Sequence, residues 1–374
     1  MTTFAPILVP AALREAVSDE AWLAAMLDVE RALADAESLA GVVPAAAAAA
    51  ISECCVPELY DIAELCEQGR ASGTPVEPLV RALRARAGDD AARYVHFGAT
   101  SQDVLDSASM LVARSACELI DEELAALAGA CARLAEEHRS TPVTARTLLQ
   151  QAVATTFGAK TSGWLVAVVE ARARLSDVRF TAELGGAAGT LAPLAGQGIE
   201  VLHLFSRELE LEEPVVPWHS HRGPVAELAA ALDAVAHACG KIGLDVVLLA
   251  QTEVGEVTEA EGGVSTAMPH KRNPTRAIRA RTCARLAHAS AGVLTGGEVE
   301  HERAAGHWQA EWSALSDLLA LSGGAANAAR ECLEGLQVDT GRMRANMSSD
   351  LDAGDVGSAE AFVDRALARY RETA

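Results

Sequence analysis

Residues 103–138 read DVLDSASMLVARSACELIDEELAALAGACARLAEEH, and the spacing predicts one uninterrupted helix from Asp103 to His138. Leu105, Leu111, Val112, Leu119, Leu124, Leu127 and Leu134 supply an apolar side at helical period. Thr100 and Ser101 precede the pattern as start signals, and Pro142 closes it. At about 1.5 Å per residue such a helix exceeds roughly 50 Å, more than an ordinary globule accommodates. A rod of that length needs neighbours along its whole flank, so the segment points to a bundle of long helices.

The rest of the chain repeats the signal. Helical patterns run over 147–175, 224–252, 274–293 and 304–333, and another from Ser18 to Gly41 with Trp22, Met26, Leu27 and Leu33 as its apolar side. Ala45 to Ala50 is compatible with helix, whereas 69–74 and 86–90 read as loops. The expected organisation is a helical unit over 1–100, a long-helix bundle over 101–345, and a reduced C-terminal region over 346–374. That last region holds a Ser/Asp/Gly linker at 348–357 and a helix at 359–371. Alternation of the strand kind is hard to find and aromatic residues make up only 4%, so the fold class is all-α. Alanine-rich stripes on long helices fit close packing, including packing against other subunits.

The formal charge of −21 excludes nucleic acid and anionic membrane surfaces as natural partners. No apolar run is long enough to span a bilayer and no signal peptide is evident. Eight cysteines occur without a Cys-x-x-Cys pair, which fits reduced thiols in a cytoplasmic protein. His219-x-His221 lacks further ligands at metal spacing, so neither a metal nor another cofactor is expected.

Three stretches carry chemistry. Residues 262–274 read Gly-Gly-Val-Ser-Thr-Ala-Met-Pro-His-Lys-Arg-Asn-Pro. Ser265 and Thr266 sit behind two glycines that free the backbone. His270, Lys271 and Arg272 follow, and Asn273-Pro274 is read as the N-cap and first residue of a helix. A weak oxygen acid, clustered cations and a positive helix end suit the binding of an organic anion and the movement of a proton on carbon. A basic surface loop capping a helix accounts for His-Lys-Arg taken alone.

The second stretch is His96-Phe97-Gly98-Ala99-Thr100-Ser101-Gln102-Asp103, where Thr100 and Ser101 either cap the long helix or hold a carboxylate. The third is Arg146-Thr147-Leu148-Leu149-Gln150-Gln151-Ala152, followed by Thr155-Thr156-Phe157-Gly158 and Lys160. Gly185-Gly186-x-x-Gly189 lacks the features of a phosphate loop and reads as a turn or a close helix contact.

Together these stretches resemble the fumarase/aspartase superfamily. Ser265, Met268, Pro269, Lys271, Asn273 and Pro274 fall on its Ser-Ser-x-Met-Pro-x-Lys-x-Asn-Pro signature. Thr266 replaces the second Ser, and Val264 stands where Gly is usual. Residues 96–103 are similar to the superfamily's His-x-Gly-x-Thr-Ser-x-Asp segment, and 146–152 to Arg-Thr-His-x-Gln-Pro-Ala. The resemblance implies a long-helix bundle forming the core of a homotetramer, with the three segments meeting from different subunits. It implies Ser265, Lys271 and Asn273 as catalytic residues. Thr100, Ser101, His96, Thr147, Gln150, Thr266, Met268 and His270 become candidates to bind a small polycarboxylate. Arg146, Lys160, Arg222 and Arg303 are candidates for its remaining carboxylates, and His96 either touches substrate or orders its loop.

One departure selects among the superfamily's reactions. Leu148 occupies the position of the His that assists departing groups elsewhere, and an apolar side chain donates no proton. Amine or hydroxide needs protonation as it leaves; a carboxylate, with a conjugate acid near pKa 4, does not. This fits a lactone-forming branch, the bacterial 3-carboxy-cis,cis-muconate cycloisomerases, to which 180–191, 217–222, 251–257, 300–312 and 335–339 are also similar. Elimination of another good leaving group, such as nitrite from a nitrosuccinate, tolerates Leu148 equally. Adenylosuccinate cleavage is disfavoured, because Ala304, Gly306, Trp308, Gln309 and Trp312 replace the polar residues that serve the nucleotide. Trp308 and Trp312 form either a packed helix face or an apolar pocket wall. A non-catalytic relative is the least favoured reading, since Ser265, Lys271 and Asn273 are intact.

Overall fold

The computed structural model describes residues 3–264, 267–268, 270–296, 299–349 and 354–373. Its spine is helix α2, Ser101–Glu137, a 37-residue rod about 55 Å long. Thr100 adopts an extended N-cap conformation, and the Asp103 carboxylate reaches back to accept its backbone N–H at 2.8 Å. Leu105, Val112, Leu124, Leu127 and Leu134 are buried, while Leu111 and Leu119 are half-buried. Helix α1, Asp19–Leu39, begins where Ser18 accepts the N–H of Ala21, and it packs across α2.

Around the spine stand α3 (Phe157–Ser176), α4 (Gly223–Leu249), α5 (Thr275–Thr295) and α6 (His307–Glu334). Helix α6 contacts α2, α4 and α5 and is buried on most sides, as its run Gly323-Gly324-Ala325-Ala326 requires. A Cβ on Gly324 would lie 2.7 Å from the carbonyl oxygen of Leu8, and one on Gly243 of α4 would lie 2.6 Å from that of Ala277 in α5. Small residues therefore set how closely these helices approach. Helix α7, Ala359–Thr373, lies against α3, and Arg139 forks onto Asp364 to hold it. Buried apolar residues from Val9 to Leu367 form one continuous core. Among the described residues no helix is long and apolar enough to cross a membrane.

The all-α expectation holds, with three small two-stranded ribbons among the described residues. The helix expected over 147–175 begins only at Phe157. Before it, β1 (Pro142–Thr147) and β2 (Gln150–Thr156) form an antiparallel hairpin in which Thr147 pairs with Gln150. Leu148 and Leu149 make its two-residue turn, with φ of 51° and 65°. β-Branched Val143, Thr144, Thr147, Val153, Thr155 and Thr156 favour the ladder, and Thr156 then caps α3 through the N–H of Ala159. The remaining ribbons are β3 (Val257–Glu259) with β6 (Leu336–Val338), and β4 (Gly263–Val264) with β5 (Arg272–Asn273).

A second correction concerns the start of α5. Asn273 is not its cap: it pairs with Gly263, and Pro274 stands at the N-cap position. The amides of Arg276 and Ala277 instead donate to the buried Glu259 carboxylate, at 3.1 and 2.8 Å. A carboxylate from a neighbouring strand supplies what a local cap does not.

Candidate active site

Thr100 stands at the centre of the best-defined cluster. Asp103 accepts four N–H groups: Gly185 (2.9 Å) and His219 Nε2 (2.6 Å) on Oδ1, Thr100 (2.8 Å) and Gly186 (3.0 Å) on Oδ2. Three separate loops are thereby tied to the first turn of α2. Gly186 has φ of 67°, and a Cβ there would meet the carbonyl oxygen of Gly98 at 2.5 Å, so the Gly185–Gly189 segment is a turn in close contact with the His96–Thr100 loop. Arg303 closes the cluster from the other side, donating to Thr100 Oγ1 and to the carbonyls of Gly186 (3.1 Å) and Ala187 (2.9 Å). Ser101 is half-buried beside it, with no hydrogen-bond partner among the described residues. His96 turns inward with φ of 59°, and its Nδ1 meets the buried Glu30 at 2.6 Å. Burial depresses its pKa, but the Glu30 charge and hydrogen bond outweigh that and raise it.

The basic candidates differ sharply in how engaged they are. Arg222 is buried and forked onto both Asp106 (2.6 and 3.0 Å) and Glu311 (3.1 and 2.5 Å), linking α2, the start of α4 and α6. Arg146 forms a bidentate pair with fully buried Glu256 at 3.0 and 2.6 Å, and Asn346 donates to the same carboxylate. Lys160, in the first turns of α3, has neither an ion pair nor a hydrogen bond among the described residues. Burial pushes its pKa down, with the Asp245 charge opposing and Lys241 and Arg146 reinforcing. Lys160 is the one of these cations still available to a ligand.

Leu148 is 96% exposed and Leu149 75%, at the outer tip of the hairpin, with Thr147 and Gln150 exposed beside them. Two leucines held at positive φ are sterically costly, and strain of this kind clusters at functional sites. Ser265, Thr266 and Pro269 lie outside the described residues. Around them, Met268, His270 and Lys271 are exposed, the Lys271 amide donates to the Met268 carbonyl at 3.0 Å, and Asn273 is half-buried. Arg272, Asn273 and Pro274 line a cavity of about 190 Å³ with Ala250, Val257, Thr258, Glu259 and Gly262. The structure therefore joins Thr100 to Arg303 within one chain. Among the described residues no hydrogen bond or ion pair links that cluster to the Leu148 hairpin or to residues 262–274.

The acids that organise these segments were missed in the sequence, where only cations and hydroxyls stood out. Asp103, Asp106, Glu256, Glu259 and Glu311 are all buried. Glu183 is buried as well; burial, reinforced by the charges of Asp103 and Asp106, pushes its pKa up to about 9. Asp103, Glu183 and His219 lie close enough to suggest a metal site. Yet both Asp103 oxygens already face N–H donors, a hydrogen-bonded anion rather than a cation cage. His219 is buried in that network while His221 is exposed. Trp308 is a packed, buried residue whose indole donates to Asp106 at 3.0 Å, not a pocket wall. Trp312 stacks edge-on against it.

Comparison with known proteins agrees with this architecture. A family model described as lyase matches residues 10–286. The 3-carboxy-cis,cis-muconate cycloisomerase of Bradyrhizobium diazoefficiens is 44% identical over 355 residues, spanning 92% of this chain and 79% of that protein. The nitrosuccinate lyase of Streptomyces davaonensis is 46% identical over 370 residues, spanning 94% of this chain and 78% of that one. The crystal structure of the 3-carboxy-cis,cis-muconate lactonizing enzyme from Pseudomonas putida superposes with a TM-score of 0.89 at 34% identity, covering 99% of each chain. With the long-helix bundle and the signature segments, these matches show that the chain belongs to the lyase family, within the fumarase/aspartase superfamily.

Proposed function

We propose that the protein lactonises 3-carboxy-cis,cis-muconate, an intramolecular addition of a carboxylate to a conjugated double bond. The observation that carries this reading is Leu148, an apolar residue at the hairpin tip where an acid assists departing groups in related lyases. A carboxylate oxygen needs no such acid in either direction. Attack within one molecule draws on high effective molarity, so positioning provides much of the rate. The electron pair moves onto the acceptor carboxylate, which Lys271 and Asn273 stabilise, and Ser265 gives the proton to carbon. Thr100 and Ser101 offer hydroxyls to a second carboxylate, and Lys160 offers a free cation to a third. Arg146 and Arg222, already neutralised by acids, serve the scaffold.

A second reading is favoured by the 46% identity to nitrosuccinate lyase. Nitrite also departs without protonation, and the same residues serve a dicarboxylate that loses it. Side-by-side assay of wild type and Leu148→His on 3-carboxymuconate, nitrosuccinate and adenylosuccinate separates the readings. The expected result is lactonisation by wild type, hindered by the His, with negligible cleavage of adenylosuccinate. Efficient release of fumarate from adenylosuccinate would refute the leaving-group argument, and nitrosuccinate preferred over the muconate would move the assignment to the second reading.

Two features support assembly with other copies, into a homotetramer on the superfamily pattern. The leucine tip is bare in the single chain, and Ile278, Leu286 and Val293 leave a partly exposed apolar stripe along α5. A solution mass near one 38.9 kDa chain with activity retained overturns this. All eight cysteines are free thiols, which supports a cytoplasmic setting.

A further inference from the structure

The Thr100 hydroxyl is held in a way that decides what it can do. Its oxygen accepts a guanidinium N–H from Arg303, so its own proton is left for another acceptor. No acceptor for that proton occurs among the described residues. The backbone N–H groups of Thr100, Gly185 and Gly186 are committed to Asp103. Arg303 meanwhile spends a second nitrogen on the carbonyls of Gly186 and Ala187. One planar fork thus fastens the start of α2 to the Gly186 turn and orients a hydroxyl donor between them.

We propose that Arg303 is a positioning residue: it binds no substrate carboxylate itself, but aims the Thr100 proton at one and locks the Gly186 turn beside it. This rests on the reading that Thr100 binds a substrate carboxylate. Lysine in place of Arg303 keeps the charge but loses the fork, so charge alone does not restore the arrangement.

A double-mutant cycle on the full-length protein tests this, with Arg303→Gln and Thr100→Val measured singly and together for kcat and KM on 3-carboxymuconate. Each single change should lower kcat/KM by about tenfold or more, chiefly through KM. Arg303→Gln should cost no more than about twofold once Thr100 is already Val, because residues in contact couple rather than add. Losses that multiply mean that Arg303 meets the substrate independently, and overturn the proposal. Arg303→Lys should stay within about threefold of Arg303→Gln; recovery to wild-type KM also overturns it, since a bare charge would then suffice.

Hydrogen exchange on the ligand-free protein reads the lock without any substrate. Arg303→Gln should speed exchange in 183–190 and 96–104, whereas Thr100→Val should leave 183–190 slow. Should wild type turn over neither the muconate nor nitrosuccinate, the functional reading fails while the exchange measurement still judges the lock. Unchanged exchange in Arg303→Gln would sink it.

Discussion

Helices α2 and α5 both begin at a segment that resembles a superfamily signature, yet their N-termini are used in opposite ways. At α2 the carboxylate of Asp103 turns backward, gathering the Thr100, Gly185 and Gly186 amides and His219, while the Thr100 hydroxyl proton and the Ser101 hydroxyl have no partner among the described residues. At α5 the buried Glu259 sits on the first-turn amides of Arg276 and Ala277. The positive end of α5 is therefore spent inside the protein, and under the proposed function anion binding around residues 262–274 would fall to the side chains of Lys271 and Asn273. A helix N-terminus is an anion site only when the fold has not already filled it.

The largest expected effect tests the side-chain half of this contrast. Ser265→Ala should lower turnover by about a thousandfold while leaving KM and folding nearly unchanged, since it removes a single hydroxyl. Turnover above about a tenth of wild type, a barrier change under about 1.4 kcal/mol, would remove Ser265 from the proton-transfer role. Glu259→Ala tests the other half and should destabilise the protein by about 2–3 kcal/mol, because two amides at the start of α5 lose their acceptor. Urea unfolding measures this. Tighter substrate binding by that variant would show that Glu259 competes with the substrate for the helix end, and would break the distinction drawn between α2 and α5. The smallest effect belongs to Thr266→Ala, expected to change kcat by no more than about tenfold. A loss as large as that of Ser265→Ala would make the two hydroxyls a unit.

Much of the fold is legible along the chain because helix formation is local. The apolar period of residues 103–138 places α2 to within two residues at its start and one at its end, and Ser18 caps α1 as its position suggests. Residues 147–156 show where locality misleads. Leu-Leu-Gln-Gln-Ala has good helix formers and no Gly or Asn to mark a turn, yet pairing with 142–147 makes it a hairpin. Asn273-Pro274 misleads in the same way: the sequence shows a plausible cap, and a ribbon with Gly263 takes the residue instead.

The site divides along similar lines. The motif residues and the loss of a proton donor at Leu148 are written in the residue types themselves, so the family and the kind of chemistry follow from the chain read in order. Whether a cation is free is not written there. Arg146 and its acid Glu256 are 110 positions apart, and Arg222 and Glu311 are 89 apart. Arg303 reaches Thr100 across 203. Electrostatic partnership depends on distance in space, and burial decides whether a charge is spent internally or offered to a ligand. The sequence by itself determined the long helices, the family and the residue types available for catalysis. Only the tertiary structure decided which of them are already occupied, because the pairings that engage Arg146, Arg222 and Arg303 are made with residues far apart in the chain.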